Sequence, residues 1–414
     1  MPTKNDPYAA LRFPEFRTYL ITRFSSVFAL NMQSTVVGWK IYEITRDPLS
    51  LGLIGLAELI PALTLAMPGG HIVDRREKRN MLLACRTGYL LCALSYLFIT
   101  GTFATNHYST RLIVGILYAT TFAGGIIRAF NGPASFSLLS LVIPRELYPN
   151  GTTWSSSAWQ TGAVLGPLLG GLLYGWIGIS FTFATVFFFH LLAAVSLLVI
   201  SPKPVHYLAG PKDKLWTGLT EGLRFVFRTR ALLAALSLDL FAVLFGGAVA
   251  LLPIYADLIL HVGAKGLGIL RAAPAVGSCL TLFLLAYIPL KKLPGMKLLL
   301  AVLGFGISTI LFGLSRNFLF SLAALFFTGM FDGVSVVIRN TILQTKTPDH
   351  MRGRVSDVHT MFVGSSNEFG SFESGVTAKW MGTVPAVVFG GCMTIGVVIT
   401  TYIISPALRK LRFK

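Results

Sequence analysis

Five carboxylates lie inside long apolar stretches of this chain: Glu58, Asp239, Asp332, Glu368 and Glu373. An ionisable group at membrane depth is costly, and where one is kept it is by default a candidate for function. Burial disfavours the charged form of a carboxylate, so such a group can exchange a proton near neutral pH. The chemistry open to these five is reversible proton carriage; the competing use is a hydrogen bond between helices. Further polar side chains in the same stretches suit a solute-lined cavity: Asn31, Gln33, Thr121, Arg128, Arg339 and Asn367. Asn31 and Gln33 are two positions apart and point to nearly opposite helix faces, so at most one would face a central cavity. Asp332 and Arg339, seven apart, share one face at a separation of about 10 Å along the axis. Thr121 and Arg128 share another face, and Arg128 is near enough to a predicted helix end for its stem to snorkel. Glu368 and Glu373 are about 140° apart around one helix and need not serve one site.

Groups at such depth need membrane-spanning helices to hold them. Of the 414 residues, 54% are apolar and only 13% charged, against about 25% charged in soluble domains. With apolar runs recurring at lengths near twenty, the chain reads as an all-α, polytopic membrane protein. Twelve spans are predicted: 17–42, 49–70, 80–101, 111–131, 153–176, 180–201, 231–256, 266–288, 296–315, 318–341, 355–379 and 383–405. The polar first sixteen residues, followed by a full-length span, do not read as a cleavable signal peptide. Of 35 Lys and Arg, six fall in predicted outer segments (Lys40, Arg46, Arg111, Lys265, Arg316, Lys379) and five within spans (Arg23, Arg86, Arg128, Arg271, Arg339). The remainder crowd one side, which places both termini in the cytoplasm. The net charge of +18 therefore reads as orientation and contact with anionic lipid, not nucleic-acid binding.

The histidines and cysteines carry no ligand pattern. His190, inside the sixth span, is expected to be a structural hydrogen-bonder, and Cys85, Cys92, Cys279 and Cys392 are expected to pack. Asn150-Gly151-Thr152 matches a glycosylation acceptor, but in a predicted cytoplasmic loop. No metal cluster, nucleophile motif or phosphate-binding Gly-x-x-x-x-Gly-Lys-Ser/Thr loop is found, so neither enzyme chemistry nor a cofactor is expected.

Two motifs organise the first half. Residues 70–79 read Gly-His-Ile-Val-Asp-Arg-Arg-Glu-Lys-Arg. Gly70 is expected to end one helix by a close backbone approach, and Asp74 to sit near the start of the next, where a helix dipole favours a carboxylate. Arg75, Arg76, Lys78 and Arg79 mark the loop as cytoplasmic. In the fifth span Gly162, Gly166 and Gly170 recur every four residues, a stripe that lets another helix come close. Pro167 removes a backbone bond, and Gly171 follows the last of the stripe. Between the sixth and seventh spans, 202–230 is basic and Pro-containing, and residues 216–227 suit an amphipathic helix on the membrane surface. Three segments follow: a six-helix bundle over 1–201, a linker over 202–230 and a second bundle over 231–414, as in transporters built from repeats. A trace of the repeat survives as Pro144-Arg145-Glu146-Leu147 and Pro348-Asp349-His350-Met351.

The Gly-x-x-x-Asp-Arg loop resembles that of the major facilitator superfamily, with Glu77 where the family usually has a second glycine. Gly166-Pro167-x-x-Gly170-Gly171 resembles the fifth-helix motif of the superfamily's antiporters, with Thr153 where an upstream glycine would fall. Residues 128–134 (Arg-Ala-Phe-Asn-Gly-Pro-Ala), Leu251-Leu252-Pro253 and residues 351–355 (Met-Arg-Gly-Arg-Val) resemble the drug:proton antiporter branch. That branch includes macrolide efflux proteins and the enterobactin exporter. The resemblance implies two six-helix bundles around a central cavity, rocking between inward-open and outward-open states. It also implies a bacterial inner-membrane location, proton-driven export of a small molecule and a functional monomer. Under it, Gly70, Asp74, Arg75, Arg79 and the fifth-span residues control the packing that opens and closes. An importer, a uniporter or a lipid mover of the same fold is the alternative.

Overall fold

The computed structural model describes residues 6–203, 214–287, 293–348, 351–409 and 411. It is helical throughout this range. Contacts divide the chain into two compact units. One comprises 1–44, 57–209 and 264–268, the other 45–56, 210–263 and 269–414. Parts of the expected linker (204–213) and of the Pro348–Met351 repeat element lie outside the described residues.

The first unit is built on α1 (Pro14–Thr45), α2 (Pro48–Arg75), α3 (Lys78–Thr100), α4 (Thr110–Val142), α5 (Tyr148–Ile177) and α6 (Ile179–Val199), with α2 entering it at residue 57. Phe16, Tyr19, Leu82, Leu138 and Leu197, from four helices, meet in one buried cluster. The glycine stripe of α5 lies on α1. A Cβ added at Gly162 would meet Phe28 N at 3.0 Å, one at Gly166 would meet Phe28 O at 2.7 Å, and one at Gly170 would meet Met32 Cγ at 3.1 Å. The stripe is a backbone-to-backbone seam, and Pro167 is accommodated without interrupting the helix.

The second unit contains α7 (Lys214–Arg228), α8 (Arg230–Phe245), α9 (Gly263–Tyr287), α10 (Pro294–Leu314), α11 (Phe318–Lys346), α12 (Arg352–Met381) and α13 (Thr383–Ile404). The predicted seventh span is not one continuous helix. It breaks at Gly246-Gly247, continues as a 3-10 turn over Ala248–Leu251, and ends in a π-helical turn over Tyr255–Ile259. Gly370 of α12 packs against the carbonyls of Val243 and Leu244, which covers the break with protein; irregular backbone at membrane depth is tolerated only under such cover. The expected surface helix also differs. On α7, Val226 is fully buried with Leu223 and Phe225 against the cluster that holds Leu236 and Val355, and Glu221 pairs with Arg354 of α12. That part of its apolar face is absorbed by its own unit rather than by lipid.

Among the described residues, nine helical stretches are long and apolar enough to cross a membrane. Helices α1, α5 and α12, of 32, 30 and 30 residues, are long enough but too polar to qualify. A polar helix of that length needs protein or water around it.

Cys85 and Cys92 are buried as expected, but Cys279 and Cys392 are exposed, not packed. His190 is fully buried and stacks on Tyr89 at 5.4 Å. Neither of its ring nitrogens has a partner among the described residues, so ring packing replaces the expected hydrogen bond. Asn150 lies in α5, where its amide ties down the amino-terminal segment by accepting from the Ala10 N–H and donating to Pro7 O.

Candidate functional site

The loop after α2 is built differently from the sequence expectation. Helix α2 does not end at Gly70 but runs to Arg75, so Asp74 sits at its carboxyl-terminal end instead of at the start of α3. The role expected of the Asp74 side chain lies outside what the structure describes. Glu77, in the place of the family's glycine, is the N-cap of α3 and accepts from the N–H groups of Arg79 and Asn80. It also accepts from the N–H of Lys203, at 3.0 Å. Arg79 donates from Nε to Leu197 O and from Nη2 to Leu198 O, closing the last turn of α6. Lys78 Nζ donates to Val73 O and Arg76 O at the end of α2. The loop's cations thus satisfy helix carboxyl ends, where orphan carbonyls need donors. Gly70 has nothing within 4 Å of a Cβ position, and Arg75 is exposed.

Beside this loop Glu15 accepts from the Ser201 N–H and pairs with Lys203. Burial alone would raise its pKa, but the Lys203 ammonium and the Ser201 N–H outweigh that and hold the carboxyl below its ordinary range. The stabilisation is present at neutral pH and fades as pH falls through that lowered value.

Replacing Glu77 by Ala is expected to lower stability by about 1 kcal/mol, through loss of the cap and of the Lys203 contact, and by Gly somewhat less. Thermal unfolding of the detergent-purified protein reads this. An unchanged midpoint in both variants would show that the cap contributes nothing.

Glu58 and Arg128 meet within the first unit, Arg128 Nη1 lying 2.7 Å from Glu58 Oε1. Both side chains are partly exposed. Gly125 sets this distance, because a Cβ there would fall 2.3 Å from Glu58 O. Thr121 does not share the setting of Arg128; it is buried and hydrogen-bonded to Tyr96 Oη of α3. Asn31 donates to Val27 O of its own helix. Gln33 is buried, with its Oε1 unpartnered among the described residues.

The second unit brings Asp239, Asp332 and Arg339 together. Arg339, 4% exposed, is ion-paired with Asp239, and its Nη2 lies 4.0 Å from Asp332 Oδ1. The i, i+7 spacing within α11 creates the second contact; the first joins α8 to α11. On α12, Glu368 is partly buried beside Gly55, whose Cβ position is 3.4 Å from Glu368 Oε2. Glu373 accepts from Thr377 Oγ1 at 2.7 Å, and Asn367 is exposed. The five acids therefore fall into three settings: paired with Arg128, gathered around Arg339, or set among the polar groups of α12.

Arg86 was not singled out from sequence. It is 1% exposed on α3 and donates to Ser26 of α1 and to Asn131 Oδ1 of α4. It therefore ties three helices together three residues beyond Arg128. An arginine in mid-span, with Asn131 in a neighbouring apolar stretch, was the available signal, but their pairing depends on the fold.

These helices, nine of them among the described residues long and apolar enough to cross a membrane, define an all-helical membrane protein. Residues 19–371 match the Major Facilitator Superfamily, and the chain belongs to that family. The enterobactin exporter EntS of Shigella flexneri is 24% identical over 350 residues, covering 84% of this chain and 81% of that protein. The EntS of Escherichia coli O1:K1 matches at the same identity and coverage. Among solved structures, a D-xylose–proton symporter aligns with a TM-score of 0.74 at 14% identity, over 97% of this chain and 100% of that one. A bacterial homologue of the human lysosomal transporter Spinster, inward-facing and unoccupied, aligns at 0.68 and 16% identity, over 95% and 96%. The structural likenesses establish the fold.

Proposed function

We propose that this protein is a proton-coupled exporter of amphipathic drugs or siderophore-like metabolites, working by alternating access. The observation that carries the reading is the set of acids held beside arginines inside the helices of each unit, Glu58 with Arg128 and Asp239 with Arg339. Moving a solute uphill needs a coupled downhill step, and the membrane potential supplies about 2.3 kcal/mol per charge per 100 mV. A carboxylate that exchanges a guanidinium for a proton links that step to a change in helix packing. The 24% identity to enterobactin exporters supports export as the direction and an amphipathic metabolite as the cargo class. The Gly-Pro-x-x-Gly-Gly element of α5 supports antiport.

The test is a susceptibility and accumulation screen in an efflux-deficient bacterial host, with and without an uncoupler. Cells expressing the protein should accumulate less of its substrates, and the uncoupler should abolish the difference. Increased accumulation would favour an importer of the same fold. Reduced accumulation that survives the uncoupler would remove proton coupling.

The proposal includes twelve spans with both termini in the cytoplasm of a bacterial inner-membrane protein. On a background lacking the native cysteines, a cysteine at Asn106 should react with an impermeant thiol reagent in intact cells. One at Asp213 should react only after lysis. The reverse pattern would overturn this topology.

A further inference from the structure

The two faces of α7 have different surroundings. One is packed inside its own unit. A Cβ at Gly222 would lie 2.8 Å from Arg354 O, and Val226 is buried with Leu223 and Phe225 packed beside it. The opposite face carries Arg224, Phe227 and Arg228, and all three are exposed. Phe227 is 60% exposed, although its neighbour Val226 is at 0%. A single residue, Thr229, joins α7 to α8. Its N–H donates to Phe225 O and Val226 O, and its carbonyl accepts from the N–H groups of Leu232 and Leu233. That tie fixes the start of α8 against the end of α7. Arg230, the first residue of α8, is exposed and only three positions from Phe227.

This patch is positive and not neutralised by the protein. Arg224, Arg228 and Arg230 make no ion pair among the described residues. Glu221, one turn before Arg224, is committed to Arg354 of α12. The patch also has a defined depth. Residues Arg230–Ile259 form a stretch long and apolar enough to cross a membrane, so Arg230 marks where the chain enters the bilayer. Phe227 and Arg228 lie within about one turn of that level, where headgroup phosphates meet acyl chains. A guanidinium suits a phosphate because its planar fork matches the phosphate oxygens. An exposed Phe between cations suits the boundary, where the ring can leave water while the charges stay at the headgroups. A soluble anion would answer the arginines and leave the ring in water; an anionic bilayer answers both.

We propose that Arg224, Phe227, Arg228 and Arg230 form a docking site for an anionic phospholipid. The arginines hold the headgroup phosphate, and the Phe227 ring enters the top of the acyl region. The site depends on neither export nor proton coupling.

The test uses purified full-length protein in neutral detergent micelles. Its thermal stability is titrated with phosphatidylglycerol, with phosphatidylcholine and with inorganic phosphate. Phosphatidylglycerol should raise the midpoint saturably, and the other two should not. The half-saturating amount of phosphatidylglycerol should rise about 25-fold in the double variant Arg224→Gln/Arg228→Gln, at about fivefold per arginine. It should rise about tenfold in Phe227→Ser. Added NaCl should weaken wild-type binding by screening the arginines. Arg145→Gln removes an exposed cation of the first unit and should titrate like wild type. If the double variant and Phe227→Ser titrate like wild type, the site is refuted. An equal shift in Arg145→Gln would reduce the effect to net charge and refute it as well. A matching response to inorganic phosphate would identify a soluble-anion site, and a matching response to phosphatidylcholine a purely apolar contact. Either would overturn docking of an anionic lipid.

Discussion

Glu368→Gln is expected to retain substrate binding and to lose uphill export when a proton gradient is imposed on vesicles. Helix α12 is too polar for lipid, and its middle carries Ser365, Ser366, Asn367, Glu368 and Ser371. Glu368 is partly buried against the backbone of α2 at Gly55, so protonation there changes a contact between helices. Glu373, by contrast, is satisfied by Thr377 one turn further along, which fits a structural role. Gln preserves the shape and most hydrogen bonding of Glu but cannot titrate. One charge moving through about 100 mV sustains a roughly fiftyfold concentration ratio, which should fall towards one in the variant. Substrate binding, read by fluorescence or equilibrium dialysis, should stay within about threefold. Uphill export at the wild-type rate would remove Glu368 as the coupling group and pass the role to Asp332, the acid more loosely held by Arg339.

Gly166→Leu is expected to abolish transport while leaving much of the helical content intact. A Cβ at this position would lie 2.7 Å from Phe28 O, 2.8 Å from Asn31 Cβ and 3.1 Å from Met32 N. Two of these are backbone atoms that cannot rotate away, so α1 and α5 must separate. Overpacking of this kind costs about 1–3 kcal/mol. A shift of that size moves a two-state conformational balance by roughly fivefold to 150-fold. Gly166→Ala should give a milder defect, because the added methyl needs a smaller displacement. Wild-type transport by Gly166→Leu would show that the α1–α5 seam can open without consequence.

Much of this was legible before any coordinates, and each success was local in origin. Span length and apolarity are summed over neighbouring residues, so the membrane class followed from composition and run length. The stripe of Gly162, Gly166 and Gly170 is a consequence of helical periodicity, and that it must meet another backbone could be inferred without knowing which one. The i, i+7 placement of Asp332 and Arg339 on one face also survived, since a single helix sets it. The errors were local too, but came from competition between signals. The preference of a helix start for a carboxylate points to Asp74, yet α2 runs on to Arg75 and Glu77 takes the cap.

What the sequence by itself determined is the helical membrane class, the approximate place of most helices and the inventory of acids and cations within them. Only the tertiary structure decided the partners. Arg128 meets Glu58 across 70 residues, and Arg79 reaches Leu197 across 118. Arg339 takes Asp239 from another helix while keeping Asp332 in range. Each helix can present the same face to several neighbours with little change in its own energy. The choice among them is made by how closely backbones approach at positions such as Gly125, Gly166 and Gly370, and that is a property of the packed units.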